Sequence, residues 1–188
     1  MDNKKDLTKE LLAHCFRELL TTTPFDKITI KTITDRAGLI RPTFYKHFQD
    51  KYEVLEWIFR TNVTDAVDLL LENHMEKDSI VIFCRSIDKD KKFYRRALLM
   101  DPGPNSFESI LTRYIYEALL SLGSRLQFKG SKSNPYLTAE LCAEFYTSGL
   151  VQLIKHWITS DAEISPEDVA GAIQLLLTNS VPDLVNLS

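Results

Sequence analysis

The stretch Ile28-Thr29-Ile30-Lys31-Thr32-Ile33-Thr34-Asp35-Arg36-Ala37-Gly38-Leu39-Ile40-Arg41-Pro42-Thr43-Phe44-Tyr45-Lys46-His47-Phe48 decides the fold of this 188-residue chain. Its first part sets Ile30, Ile33 and Ala37 on one side of a short helix, at the spacing of a face turned to a core. Thr29 stands where an N-cap hydroxyl accepts a free backbone N–H. Gly38 stands where a helix ends in the left-handed conformation that glycine adopts without steric cost. The chain turns through Gly38-Leu39-Ile40 and resumes helix through Pro42 to Phe48, with Phe44 and Phe48 directed inward. Helix, tight turn and second short helix is the spacing of a helix-turn-helix. In that motif the second helix enters the DNA major groove and its first residues reach base edges.

The expected contact set follows from that geometry. Arg41, Pro42 and Thr43 occupy the base-reading positions, and Tyr45, Lys46 and His47 lie on the exposed side as a phosphate-gripping set. Lys51, in the first turn of the next helix, is expected near the DNA backbone, and Thr29 and Thr32 complete the set. The plainer alternative for Tyr45, Lys46 and His47 is a solvated helix face, and for Arg41 a place near a helix start without base contact.

Working outward, Leu7, Leu11, Leu12, Cys15, Phe16, Leu19 and Leu20 repeat at the helical period ahead of the motif, and Thr21-Thr22-Thr23-Pro24 ends that helix. Downstream, Asp50 with Glu53 signals a helix start. It predicts a long helix with Leu55, Ile58, Phe59, Val63, Ala66, Val67 and Leu70 on its apolar stripe. Shorter helices are predicted over 79–88 and 90–100. The run Ser79 to Phe83 has strand propensity, but no second strand exists to pair with it. Asp101-Pro102-Gly103-Pro104 is a break. A helix carrying Phe107, Ile110, Leu111, Tyr114 and Ile115 follows, then a surface loop over 127–135 and helices near 136–159 and 166–179. The expected fold is all-α: a three-helix helix-turn-helix head over 1–50, joined by a long helix to a helical dimerisation and sensor domain over 51–188.

Charge is distributed to match. The chain carries −3 overall, yet residues 27–51 hold six Lys and Arg against two Asp, a local balance of +4. A basic patch on an acidic body suits a compact DNA-reading head, although short basic stretches are usually ordinary surface.

At these residues the chain resembles the tetracycline-repressor (TetR) family of regulators. Ile28 to Gly38 is similar to that family's first two motif elements. Thr43-Phe44-Tyr45-Lys46-His47-Phe48, followed by Lys51 and Leu55, is similar to its recognition helix and the start of its linking helix. Tyr52 to Phe59 more particularly resembles the regulators associated with dihydroxyacetone-kinase operons. The chain departs from the pattern at Ile40, where the family often has a capping serine, and at Pro42, which replaces a small residue. The resemblance implies a homodimer that binds a double-stranded DNA operator. It also implies a divergent C-terminal domain that answers to a small-molecule effector or a partner protein.

Tyr94, Phe107, Tyr114 and Phe145 are the expected lining of a ligand cavity in that domain, with plain packing as the alternative. The broad apolar helix over 136–159 and the one after it predict a dimer interface through Val151, Ile154, Ile158, Ile173, Leu176 and Leu177. The alternative is a central helix buried inside its own subunit. Cys15, Cys84 and Cys142 lie far apart within apolar patterns and read as reduced thiols. No spacing suggests a metal site, so no metal or cofactor is expected. No nucleophile-base pairing or glycine-rich phosphate loop supports the rival reading of a helical enzyme. A third reading, a protein-interaction adaptor without DNA binding, is opposed by the intact Thr43 to Lys51 stretch. With no secretory signal and no run of about 18 apolar residues, a cytoplasmic protein without membrane contact is expected.

Overall fold

The computed structural model describes residues 2–125 and 134–179, and these are helical throughout apart from turns and caps. Most of the loop expected over 127–135 lies outside the described residues. The chain forms two compact units, Met1–Phe107 and Glu108–Ser188.

The first unit opens with α1 (Asp2–Thr22), followed by a single 3-10 turn, Phe25–Lys27. Next come α2 (Ile30–Ala37), α3 (Arg41–Tyr45) and α4 (Lys51–Phe59). Leu12, Phe16 and Leu20 of α1 meet Ile33, Phe44, Phe48, Leu55 and Ile58 in one core, all of them buried. Leu7 and Leu11, expected on the same stripe, stay exposed. The expected division at residue 50 falls inside this unit. Helix α1 packs on α2, on α4 and on the later helix α7 (Lys91–Ala97), so the motif and the helices after it share a core.

The long helix predicted after Asp50 is continuous but not uniform. Asp50 caps α4, its carboxylate accepting the N–H groups of Tyr52 at 2.8 Å and Glu53 at 2.9 Å. After Phe59 one turn widens into a π turn, Arg60–Thr64, before α5 (Asp65–Glu72) resumes the α spacing. Hydroxyls of Thr61 and Thr64 donate to the carbonyls of Trp57 and Arg60 on the flanks of that turn, side-chain bonds that compete with the regular backbone ladder. Phe59, Val63 and Val67 stay buried across it, whereas Ala66 is exposed. Helices α6 (Glu76–Lys89) and α7 (Lys91–Ala97) complete the unit. The strand-prone Ser79 to Phe83 lies within α6, where Ser79 and Phe83 are buried four residues apart.

Helix α8 (Phe107–Arg125) starts after the predicted break and leads into the second unit, whose other helices are α9 (Ala139–Thr159) and α10 (Pro166–Thr178). Thr138 caps α9, and Ser165 caps α10 with Pro166 in its first turn. Lys155 of α9 pairs with Glu108 of α8 at 2.6 Å, and the Trp157 indole N–H donates to the Ile164 carbonyl at 3.1 Å.

The interface expected on α9 and α10 needs correction. Val151 is 4% exposed, and Ile154, Ile158 and Ile173 are equally buried within the single chain. Side chains already covered by their own subunit have no surface left for a partner. Leu176 remains exposed at 45% and Leu177 is half-buried. The apolar residues that do face outward are Phe145 and Tyr146 on α9 and Leu175 beside Leu176 on α10.

Candidate nucleic-acid interface

The turn between α2 and α3 is built as its residues dictate. The Thr29 hydroxyl accepts the Thr32 N–H at 3.1 Å, while the Thr32 hydroxyl accepts the Thr29 N–H at 3.0 Å. This reciprocal cap engages two otherwise unsatisfied donors. It gives both threonines a structural task at an exposed helix start. Gly38 closes α2 at φ +65°, a backbone conformation that side chains with a Cβ rarely adopt, and Leu39 N–H then donates back to the Thr34 carbonyl at 2.9 Å. Helix α3 is shorter than the predicted Pro42 to Phe48. Ile40 offers no side-chain cap and Pro42 sits in the first turn; five residues are helical, after which the chain tightens into turns at Lys46 and His47.

Phe44 and Phe48 anchor that short helix. Their ring centroids lie 5.8 Å apart, and Phe48 meets Trp57 of α4 edge-on at 6.0 Å. The Lys9 ammonium of α1 stands 4.9 Å from the Phe48 ring centre and 5.5 Å from that of Trp57. With its inner side so held, α3 exposes Arg41, Pro42, Tyr45 and Lys46, while Thr43 and His47 are half-buried. The Arg41 guanidinium donates to the Tyr45 hydroxyl at 3.3 Å across one helical turn, so the two polar ends are presented side by side.

The local charge of +4 overstates the cations on offer. Lys31 is paired with Asp35 on its own helix, and Arg36 bonds Glu18 of α1 at 2.8 Å. Lys27 lies 3.5 Å from Asp26. Lys51 is turned inward: its ammonium donates to the carbonyls of Phe25 at 2.6 Å and Ile28 at 2.8 Å and sits 4.3 Å from the Phe25 ring centre. Burial pushes its pKa below the usual lysine value. Lys51 therefore bolts the bend ahead of α2 to the start of α4, and its expected place on the DNA backbone gives way to this role. The signal was present in the spacing, since Lys51, Leu55 and Ile58 follow the i, i+4, i+7 pattern of a buried stripe. Arg41 and Lys46 are the cations of this stretch that face outward without a carboxylate partner among the described residues.

The four aromatics expected around a ligand do not share one environment. Tyr94 and Phe107 are fully buried in the first unit, stacked at 5.1 Å, with Phe59 edge-on to both. Tyr94 belongs to packed core, and burial raises its phenol well above the ordinary value. Its hydroxyl meets no partner at hydrogen-bond geometry, with the Asn62 side chain as a polar neighbour. Tyr114 is half-buried in the second unit, and Phe145, at 74% exposure, stands on the outside of α9. An exposed ring lines no interior, so Phe145 leaves the expected cavity set.

Comparison with known proteins follows the same division. A family model described as bacterial regulatory proteins, tetR family, matches residues 17–58, which contain α2, α3 and almost all of α4. A second, described as a transcriptional regulator C-terminal region of TetR type, matches residues 73–179. The HTH-type dhaKLM operon transcriptional activator DhaS of Lactococcus lactis is 24% identical over 119 residues, covering 61% of this chain and 64% of its own length. This chain thus spans less than two thirds of that relative. Among solved structures, the dihydroxyacetone kinase operon activator DhaS aligns with a TM-score of 0.64 at 20% identity, over 90% of this chain and 93% of its own. FadR of Thermus thermophilus, solved in complex with lauroyl-CoA, aligns with a TM-score of 0.59 at 18% identity, over 93% and 97%. Likeness at such identities speaks for the fold alone. The C-terminal family match by itself covers more than half of the chain, and the N-terminal one falls on the helix-turn-helix. The chain belongs to the tetR family of bacterial regulatory proteins.

Proposed function

We propose that the chain is a sequence-specific, DNA-binding transcription regulator that acts as a homodimer in the cytoplasm. The observation that carries this reading is α3, anchored by Phe44 and Phe48, with Arg41, Tyr45 and Lys46 exposed on its outer side. Placed in a major groove, Arg41 and Thr43 reach base edges, while Tyr45, Lys46 and His47 grip phosphates. Thr29 and Thr32 contribute as the cap of α2, whose N-terminus points its own N–H groups at the backbone. One short helix contacts few bases, so selectivity requires a second copy reading a half-site about one turn of DNA away.

The second copy is met by the outward apolar face of the second unit. Phe145 and Tyr146 stand near Gly149, and a Cβ added at Gly149 touches nothing of its own chain. A helix thinned at that point lets a symmetry mate approach closely, and an isologous contact uses the same patch twice. The effector, a small molecule or a partner protein, acts through the C-terminal region. The relative named for the dhaKLM operon makes an operon of that type the first target to try.

The test is titration of the purified protein against DNA upstream of its own gene at several salt concentrations. Specific, salt-sensitive binding with dimer stoichiometry is expected. Binding that ignores salt, or capture of a protein partner with no DNA shift, favours an adaptor instead.

A further inference from the structure

The contact between Arg41 and Tyr45 has a second layer beneath it. The guanidinium donates through Nη2 to the Tyr45 hydroxyl at 3.3 Å. Tyr45 is held in turn: its ring meets that of Phe44 edge-on at 5.7 Å, and Phe44 is fully buried in the core of the head. No carboxylate among the described residues competes for the guanidinium. A core ring thus places a phenol, and the phenol places the end of an arginine that would otherwise sample many rotamers.

The hydrogen-bonding groups left over decide what the pair can do. A guanidinium carries five N–H groups in a rigid plane. Giving one Nη2 hydrogen to Tyr45 leaves, whichever hydrogen it is, one edge with two parallel donors. Such an edge matches the O6 and N7 acceptors that guanine presents in the major groove. The hydroxyl accepts from Arg41 and so keeps its own proton for a phosphate oxygen. Accepting from a cation also polarises that O–H and strengthens it as a donor. An exposed bond of this length adds little to stability, and its effect is on direction.

We propose that Tyr45 is the positioning residue that aims Arg41 at one guanine in each half-site, so that reading this base depends on the Tyr45 hydroxyl as well as on Arg41. The inference rests on the DNA-binding reading above and adds to it one base and the side chain that orients its reader.

The experiment uses the full chain as wild type, Tyr45→Phe, Arg41→Ala and the double variant. Wild type first selects a consensus from random duplexes. Each base pair of a half-site is then changed, and all four proteins are titrated against the consensus, its single changes and random DNA. One G·C pair per half-site is expected at which Arg41→Ala lowers discrimination roughly tenfold and Tyr45→Phe at least about threefold. At that pair the double variant should discriminate no worse than Arg41→Ala, because the tyrosine acts through the arginine. Thermal unfolding of Tyr45→Phe should match wild type. If wild type selects no consensus, the DNA-binding reading fails and takes this proposal with it. If a consensus is selected and Tyr45→Phe weakens every duplex equally, Tyr45 is a phosphate contact only, and the proposal alone is overturned. Losses that add in the double variant, an affected pair other than G·C, or no pair that answers to Arg41→Ala would overturn it as well.

Discussion

The head and the second unit use exposure in opposite ways. In α2 and α3 the outward side chains are mostly polar, Pro42 and the flanking Ile40 apart, and several are engaged locally, Thr29 with Thr32, Lys31 with Asp35 and Arg41 with Tyr45. On α9 and α10 the outward side chains include Phe145, Tyr146, Leu175 and Leu176, large apolar groups that gain nothing from water. A surface that is to meet a hydrated polyanion keeps its own hydrogen bonds and a few ready cations. A surface that is to meet another protein keeps apolar area. In both regions the residues that count for recognition are those that the chain's own packing leaves uncovered, and local charge or hydrophobicity totals misplace them.

The inner and outer faces of α9 should respond to charge in opposite ways. Val151→Glu buries an unpaired carboxylate in the second unit and should cost more than about 3 kcal/mol, leaving insoluble or unfolded protein. Phe145→Glu, at an exposed site, should leave helicity and thermal unfolding of the protomer intact while sedimentation shifts from dimer to monomer. If the Val151 variant folds and merely dissociates, the division of α9 into an inner and an outer face is wrong.

In the head the two lysines should separate in the same manner. Lys51→Met removes a charged donor from two carbonyls and should lower unfolding free energy by about 2–3 kcal/mol, with little change in the salt dependence of DNA binding. Replacing Arg41 with alanine should cost about 1–3 kcal/mol on a cognate site and much less on random DNA. Should selection from random duplexes return the same consensus for both proteins, Arg41 reads no base. Lys46→Ala is expected to keep stability within about 0.5 kcal/mol and to reduce the slope of log affinity against log salt by roughly one.

The smallest expected effect is on pH. Burial places the Lys51 pKa below 10.5 in the folded chain. Between that lowered value and 10.5 the unfolded chain holds more protons, so the Lys51 contribution makes stability rise with pH across this window. The two carbonyl bonds persist through it, because a neutral amine still has two N–H donors. Comparing urea unfolding of wild type and Lys51→Met over alkaline pH isolates the contribution, and a difference that shrinks as pH rises would reverse the sign.

The legible parts of this fold were those fixed by neighbours in sequence. Thr29, Gly38, Asp50 and Ser165 act within a few residues of themselves, and each terminates or opens a helix where its chemistry predicts. Phe44 and Phe48 were readable for the same reason. What eluded the sequence was direction across a distance. Lys51 is basic and lies beside a basic motif, yet its partners are carbonyls 26 and 23 residues away. Phe145 and Val151 are six residues apart on one apolar helix, and which of them faces in depends on the helices packed against α9. Periodicity establishes that a stripe exists, whereas its width beyond one contact leaves the covering partner open.

The π turn at Arg60–Thr64 bears on how this chain tolerates changes in length. A π turn holds one residue more than the α-helical path between the same two ends. Each residue of an α-helix adds 1.5 Å and about 100° of rotation. Losing one residue from Lys51–Phe59 would therefore rotate the Lys51 end of α4 by roughly that angle and carry its ammonium off both carbonyls. Losing one from Arg60–Thr64 instead lets the ladder close as plain α-helix, with Phe59 and Val67 brought nearer along the axis and both helical flanks retaining their faces. Among relatives of this chain, single-residue gaps in the helix that leaves the head should thus gather at this turn, the point where the helix has a residue to spare.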